Sequence, residues 1–333
     1  MDQGQLTIKP TLIHLGLCIR YQVCWGMKKL LGILVLGLLI STASFGHYEG
    51  YEKDLAKLSK ANTFIDNKGK KYTVDEIKAK KNTLLIIWSI GEGGDHQLDK
   101  CSFKNIGYTW EGAPPAAIAN LHDKKIKGLT VKIYGLCSGV KGDVKKGLKW
   151  LKFLKQKKPH DYPGEYKNVK RQNITLNKID EFIAKGFENF VLAGHSGGAW
   201  LSLNLLSRYP DKIKGAIAFE PAMAGTFKEQ KKWPGMLILR NNAVSIITQA
   251  KSLKALVFNH PKDSYENEES LGFLKKYNDL KFISLGNLKL QACQYADGGT
   301  GGLRDGHDIT GSPCLTKYIE ENHLIENYLN YLF

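Results

Sequence analysis

Residues 189–208 read NFVLAGHSGGAWLSLNLLSR. An apolar run over 189–193 meets a serine set between glycines. A helix-compatible run over 199–208 follows and stops before Tyr209-Pro210. Strand, tight turn and helix in that order form half of a crossover, the connection that parallel strands need. The same alternation continues on both sides. Upstream, 83–89 (TLLIIWS) is almost wholly apolar, as a strand buried on both faces should be. A helix is expected over 114–123, starting at a proline pair, then a strand over 129–134 and a helix over 173–185 whose apolar positions are Ile174, Leu176, Ile179, Phe182 and Ile183. Downstream, strands are expected over 213–219, 253–258 and 280–285, and an amphipathic helix over 316–332 closes the chain. Asp66-Asn67-Lys68-Gly69 reads as a hairpin turn between 63–65 and 71–74, adding an antiparallel edge. The expected fold class is therefore α/β, a mostly parallel doubly wound sheet flanked by helices.

Gly194-His195-Ser196-Gly197-Gly198 is the stretch that carries chemistry. A serine on a sharp strand-to-helix bend lifts its Oγ above the sheet, while Gly194 and Gly198 remove side chains that would strike neighbouring backbone. The N–H of Gly197 then faces a developing oxyanion at a helix N-terminus. A phosphate loop would need a lysine after the glycines, and none follows. Serine is a poor nucleophile until a base takes its proton, and histidine suits that task near neutral pH. Gly306-His307-Asp308 follows the last expected strand in a glycine-rich loop. Of the other histidines, His195 lies inside the bend, His260 in another loop and His323 within the closing helix.

The serine bend and the position of His307 resemble the α/β-hydrolase superfamily, with similarity to its small esterases and dienelactone-hydrolase-like members. The resemblance follows the order of elements over 83–333. It is specific at residues 194–198 and around His307, and diffuse elsewhere. It implies an α/β-hydrolase fold in which Ser196 is the nucleophile and His307, after the last strand, the base. It places the acid after the penultimate strand, which selects Asp263 in Val257-Phe258-Asn259-His260-Pro261-Lys262-Asp263. His260 stands where that family commonly has glycine. Glu220, at the end of the preceding strand, is the second candidate because some members carry the acid there, and Glu266 is the third. A second oxyanion donor is expected from the loop after the first long strand, Ser89-Ile90-Gly91-Glu92-Gly93-Gly94, through the N–H of Gly91 or Glu92. The implied reaction is acyl transfer from an ester to water, with no metal and no organic cofactor. A peptidase or amidase of the same fold, or a binding module without turnover, are the alternatives.

Met27-Lys28-Lys29 is a short positive region, 30–40 an uncharged apolar run, and Ser41, Thr42, Ala43, Ser44 and Gly46 a small-residue exit. That pattern is a secretory signal, shorter than the roughly 20 apolar residues a transmembrane helix wants. Residues 1–46 are thus expected to be an upstream extension plus signal peptide, with translation starting at Met27. Residues 47–333 would form one catalytic domain, periplasmic or secreted, with no stable membrane insertion once the signal is cleaved. Export suits the cysteines. Cys18 and Cys24 leave with the signal, and Cys101, Cys137, Cys293 and Cys314 remain. Of the three pairings that four cysteines allow, Cys101–Cys137 with Cys293–Cys314 is favoured, because the second bridge closes the loop that carries His307.

The chain's formal charge is +16, and about +13 remains once the four basic and one acidic side chains of residues 1–46 are removed. The excess is mostly lysine scattered along helices and loops, with short runs at 155–158 and 228–232, as solvated faces show. No basic motif interleaved with aromatics points to nucleic acid. The expected partner is a small-molecule or polymer-borne ester. About 35 residues separate the strands ending at Phe219 and starting near Leu253, too few for a large lid. Met223, Phe227, Trp233, Met236 and Leu237 in that insert could line an acyl pocket or pack the core, and Trp110, near Tyr108, is another candidate wall.

Overall fold

A computed structural model describes residues 62–91, 101, 103, 106–107, 112–139, 167–295 and 301–333. The expected signal segment, Glu92, Tyr108, Trp110 and the lysine run at 155–158 lie outside the described residues.

Nine strands make one sheet among the described residues: β1 Thr63–Ile65, β2 Lys71–Tyr72, β3 Thr83–Ser89, β4 Lys125–Ile126, β5 Leu129–Leu136, β6 Asn189–His195, β7 Gly215–Phe219, β8 Ala255–Asn259 and β9 Lys281–Ser284. The spatial order is β2-β1-β5-β3-β6-β7-β8-β9, with β4 also on β5. From β5 to β9 every neighbouring pair is parallel, whereas β1 runs antiparallel to both β2 and β5. The hairpin at the edge turns where expected. Asp66 Oδ1 accepts from the N–H groups of Lys68 and Lys70, each at 2.8 Å, and Gly69 takes φ 78°.

All seven residues of β3 and all five of β7 and of β8 are buried, which is why these runs lack polar alternation. Their side chains still alternate between faces. Leu85 and Ile87 join Leu192, Trp200, Leu203 and Ile247 on one side, while Leu84, Ile86 and Trp88 join Val191, Ala193, Ile319 and Leu329 on the other. Each buried side chain of this size contributes roughly 1.5–3 kcal/mol of transfer free energy, so two such layers hold the sheet from both faces.

The helices among the described residues are α1 Ala116–Ala119, α2 Lys167–Ala184, α3 Gly197–Arg208, α4 Phe227–Lys232, α5 Pro234–Thr248, α6 Pro313–Glu321 and α7 Leu324–Leu332. Three expectations need correction. The helix expected over 114–123 is a single turn, because Asp123 at φ 64° already leads into the β4–β5 hairpin. The helix expected over 173–185 begins further upstream, at Lys167. The closing helix is two helices, since His323 adopts left-handed backbone, φ 49° and ψ 33°. The insert after β7 forms α4 and α5. There Met223 is buried in the core, Trp233 and Met236 pack against it, and Leu237 is exposed.

Both favoured disulfides are present, Cys101–Cys137 and Cys293–Cys314. Among the described residues no helix is long and apolar enough to cross a membrane.

The register pairs Ser89 with Gly194, His195 with Phe219, Phe219 with Phe258, and Asn259 with Ser284. The segments that leave β3, β6, β7 and β8 therefore emerge together at the carboxyl edge, where sheets of this kind present their sites. A mostly parallel sheet in this order, helices on its faces and a Gly-x-Ser-x-Gly bend after a central strand match the α/β-hydrolase architecture.

Candidate active site

Ser196 sits between the last residue of β6 and the first of α3 with φ 56° and ψ −124°, a conformation costly for a residue with a Cβ. The surroundings impose it. Its N–H donates to Phe219 O at 3.0 Å, and its carbonyl accepts from Trp200 N–H at 3.0 Å and Ala222 N–H at 3.2 Å. Gly198 leaves no room for a side chain, since a Cβ there would lie 2.1 Å from Ser89 O. Segment 89–91 is thus pressed against the bend, and a Cβ on Gly91 would lie 3.3 Å from Ser196 Cβ and 3.7 Å from its Oγ. Arg171, buried on α2, holds this segment by donating from Nη2 to Ile90 O at 2.6 Å.

His307 lies in the 3-10 turn Gly306–Gly311. The Asp305 carboxylate caps that turn, accepting from His307 N–H at 2.9 Å and from Ser264 N–H at 3.1 Å, so one side chain ties two loops together. Gly306 permits their approach, because a Cβ there would lie 2.7 Å from Asp263 N. The imidazole Nδ1 is 2.9 Å from Asp263 Oδ2, and both side chains are almost wholly buried. Asp263 Oδ1 accepts from the N–H groups of Tyr265 at 2.7 Å and Glu266 at 3.3 Å. The Tyr265 ring covers the imidazole at a centroid distance of 4.3 Å. With a proton on Nδ1 directed at the carboxylate, Nε2 keeps a lone pair, the state a general base requires.

His195 lies under this pair. Its Nε2 is 3.0 Å from His307 O, and the two rings are 4.8 Å apart between centroids. Burial, with the neighbouring His307 adding to it, lowers the His195 pKa to about 3, so the ring is neutral and Nε2–H is the donor. Ser196 and His307 are thereby brought to one end of the sheet, although no hydrogen bond joins Ser196 Oγ to the imidazole in this structure.

The remaining candidates have other partners. Glu220 is fully buried at φ 43°, its Oε2 accepting from His260 N–H at 3.0 Å and Asn259 Nδ2 at 2.9 Å. Glu266 is clamped by Arg240, with Nε–Oε1 at 2.6 Å and Nη2–Oε2 at 2.8 Å. His260 places Nε2 3.1 Å from Leu288 O and accepts at Nδ1 from Lys262 N–H at 3.0 Å, while His323 pairs with Glu326 at the surface. Asp305, Tyr265, Arg171 and the bond made by His195 were not among the expected site features. Asp305 alone had a sequence signal, a capping carboxylate just before a short turn. Among the described residues no group of three or more His, Cys, Asp or Glu side chains converges as a metal site would.

No protein-family model matches the chain, and no curated protein matches it. Solved structures do. The monoacylglycerol lipase of Paleococcus ferrophilus is 13% identical over 82% of this chain and 98% of its own, with TM-score 0.44. Est1E of Butyrivibrio proteoclasticus is 13% identical over 80% and 98%, with TM-score 0.43. The carboxylesterase of Bacillus cereus is 15% identical over 84% and 99%, with TM-score 0.42. The fold assignment stands on strand order, register and the serine bend, independently of these likenesses.

Proposed function

We propose that this chain is an exported serine hydrolase that cleaves carboxylic esters through an acyl-enzyme on Ser196. The reading is carried by the buried Asp263–His307 pair, held at 2.9 Å at the sheet edge from which the strained Ser196 projects. In this reading His307 Nε2 takes the hydroxyl proton as Ser196 Oγ attacks the ester carbonyl. Asp263 keeps the ring oriented and stabilises the imidazolium. The Gly197 N–H, with that of Gly91 or Glu92, holds the oxyanion. His307 then protonates the leaving alcohol and activates the water that releases the acid. The mechanism calls on neither a metal nor an organic cofactor.

Export belongs to the same proposal: a start at Met27, loss of residues 1–46, and a catalytic domain over 47–333. Two disulfides favour an oxidising compartment such as the periplasm or the exterior. The substrates in this reading are small-molecule or polymer-borne esters. Kinship with small esterases and dienelactone-hydrolase-like enzymes is part of this reading.

The test is covalent labelling with a fluorophosphonate probe, beside a panel of p-nitrophenyl esters and aminoacyl amides. Wild type should label and turn over esters, and Ser196→Ala and His307→Ala should lose about 10³-fold or more in kcat/KM. Faster turnover of amides than esters would make the chain an amidase. A wild type that ignores the probe, or equal labelling of Ser196→Ala, would leave a binding module.

A further inference from the structure

Glu220 takes no part in the reaction proposed above, yet it occupies the wall behind Asp263. It follows the last residue of β7 in left-handed backbone, φ 43°, with no exposed surface. One oxygen, Oε2, is taken by His260 N–H and Asn259 Nδ2, while Oε1 meets no N–H or O–H donor. The group within hydrogen-bonding reach of this carboxyl is the Asp263 carboxyl, itself an acceptor. Among the described residues no cation pairs with Glu220. Arg240 is engaged by Glu266, and His307 stands beyond Asp263. The other groups acting on Glu220 are the Asn259 amide and the His260 backbone.

Two buried carboxylates cannot both stay charged in contact, and two carboxyl groups hydrogen-bond only with a proton between them. Asp263 already accepts from three donors, His307 Nδ1 and the N–H groups of Tyr265 and Glu266, against two for Glu220. The proton therefore belongs to Glu220. We infer that Glu220 is a neutral carboxylic acid that donates a hydrogen bond to the Asp263 carboxylate, a positioning residue that adds a fourth link behind Ser196, His307 and Asp263. Burial first, and the Asp263 charge second, raise its pKa well above the ordinary carboxylate range, in the direction this requires. The consequence for catalysis rests on the serine-hydrolase reading; the shared proton does not. Held from behind, the Asp263 carboxylate cannot rotate off His307 Nδ1, and the imidazole keeps its tautomer.

Full-length protein, wild type and variants, tests this in two arms. Infrared difference spectra of wild type against Glu220→Gln at neutral pH should show the carbonyl band of a protonated carboxylic acid, moving in D2O. In Asp263→Asn that band should shift, because its charged acceptor is gone. In the second arm, Glu220→Ala should slow fluorophosphonate labelling of Ser196 by about tenfold or more and displace the acid limb of the pH–rate profile. Glu220→Gln, a neutral donor of the same shape, should rescue both to within about threefold. Absence of the band, or a band that stays put in Asp263→Asn, overturns the inference whether or not Glu220→Ala folds. So does a Glu220→Gln variant as slow as Glu220→Ala, or a Glu220→Ala variant as fast as wild type. If wild type itself never labels, the hydrolase reading fails, and the infrared arm still decides where the proton lies.

Discussion

The residue before the candidate nucleophile holds the residue that carries the candidate base: His195 Nε2 lies 3.0 Å from the backbone oxygen of His307. The bond spans 112 positions of sequence. It ties the end of β6 to the 3-10 turn without using the His307 side chain. His195→Phe keeps a planar ring but removes the donor, leaving the His307 carbonyl buried and unpaired. Such a loss costs about 1–3 kcal/mol. The expected outcome is a lower melting temperature and slower labelling of Ser196, with His195→Gln intermediate because its amide can still donate. Labelling rates alongside thermal melts check this.

The same histidine makes stability depend on pH. Folded, its pKa is lowered to about 3 by burial and then by His307, whereas the ordinary value is 6.5. Between those values the unfolded chain binds a proton that the folded chain refuses, so stability falls as pH falls from 6.5 towards 3. This one site contributes up to about 1.4 kcal/mol per pH unit inside that window and nothing above it. Melting temperatures measured across the window should decline less steeply in His195→Gln. An unchanged slope would mean that the ring charges within the fold.

The fold and much of the candidate site were legible because they rest on short-range pattern. The run of five apolar residues in β3, Leu84 to Trp88, and the glycines around Ser196 carry their physical reasons locally. His307 and Asp263 were selected by what the α/β-hydrolase resemblance implies for the segments after the last strands, and the two side chains lie 2.9 Å apart. What escaped depends on tertiary approach. Arg171 falls just outside the helix as the periodicity drew it, and nothing near it in sequence says that its guanidinium ends on Ile90 O. The break at His323 has no glycine or proline to announce it. Glu220 and Glu266 stood behind Asp263 as second and third candidate acids, and nothing local in the sequence announces the partners that hold each of them.

Glu266 is held by two of the three guanidinium nitrogens of Arg240, Nε and Nη2, and Nη2 also donates to Ser270 O at 2.6 Å. Its side chain has no exposed surface and that of Arg240 little. Arg240→Met leaves a buried carboxylate without its counter-charge, and such breaks cost about 3–5 kcal/mol. Chemical denaturation should show a loss of that order. Glu266→Gln with Arg240→Met, removing both charges, should recover much of it. A loss below about 1 kcal/mol for the single variant would mean the carboxylate is solvated after all.

The Cys293–Cys314 bridge closes a loop of 21 positions that contains His307. In the chain-entropy view a loop of that size is worth about 3 kcal/mol, by restricting the unfolded chain. Replacing both cysteines by serine should therefore lower stability and, because the loop carries the imidazole, slow probe labelling under conditions where the protein is still folded. The Cys101–Cys137 pair gives the comparison, since its loop of 36 positions excludes His307. Its removal should cost a similar stability with a smaller effect on labelling measured well below the melting transition.

Asp263→Asn separates the candidate acids by function. The present carboxylate accepts at Oδ2 from His307 Nδ1 and at Oδ1 from two backbone N–H groups. An asparagine with its oxygen towards the backbone donors turns its NH2 towards the imidazole. His307 Nδ1 must then accept, and the proton moves to Nε2, the nitrogen that in the proposed mechanism takes one from Ser196. The variant should keep its fold while kcat falls about 10³–10⁴-fold. Raising the pH should not restore it, because the fault is one of tautomer rather than of charge. Glu266→Gln, whose oxygens face Arg240, should lose stability without that fall in kcat. If Asp263→Asn stays within tenfold of wild type, the Nδ1–Oδ2 contact has a structural duty only, and the acid of the mechanism must be sought elsewhere.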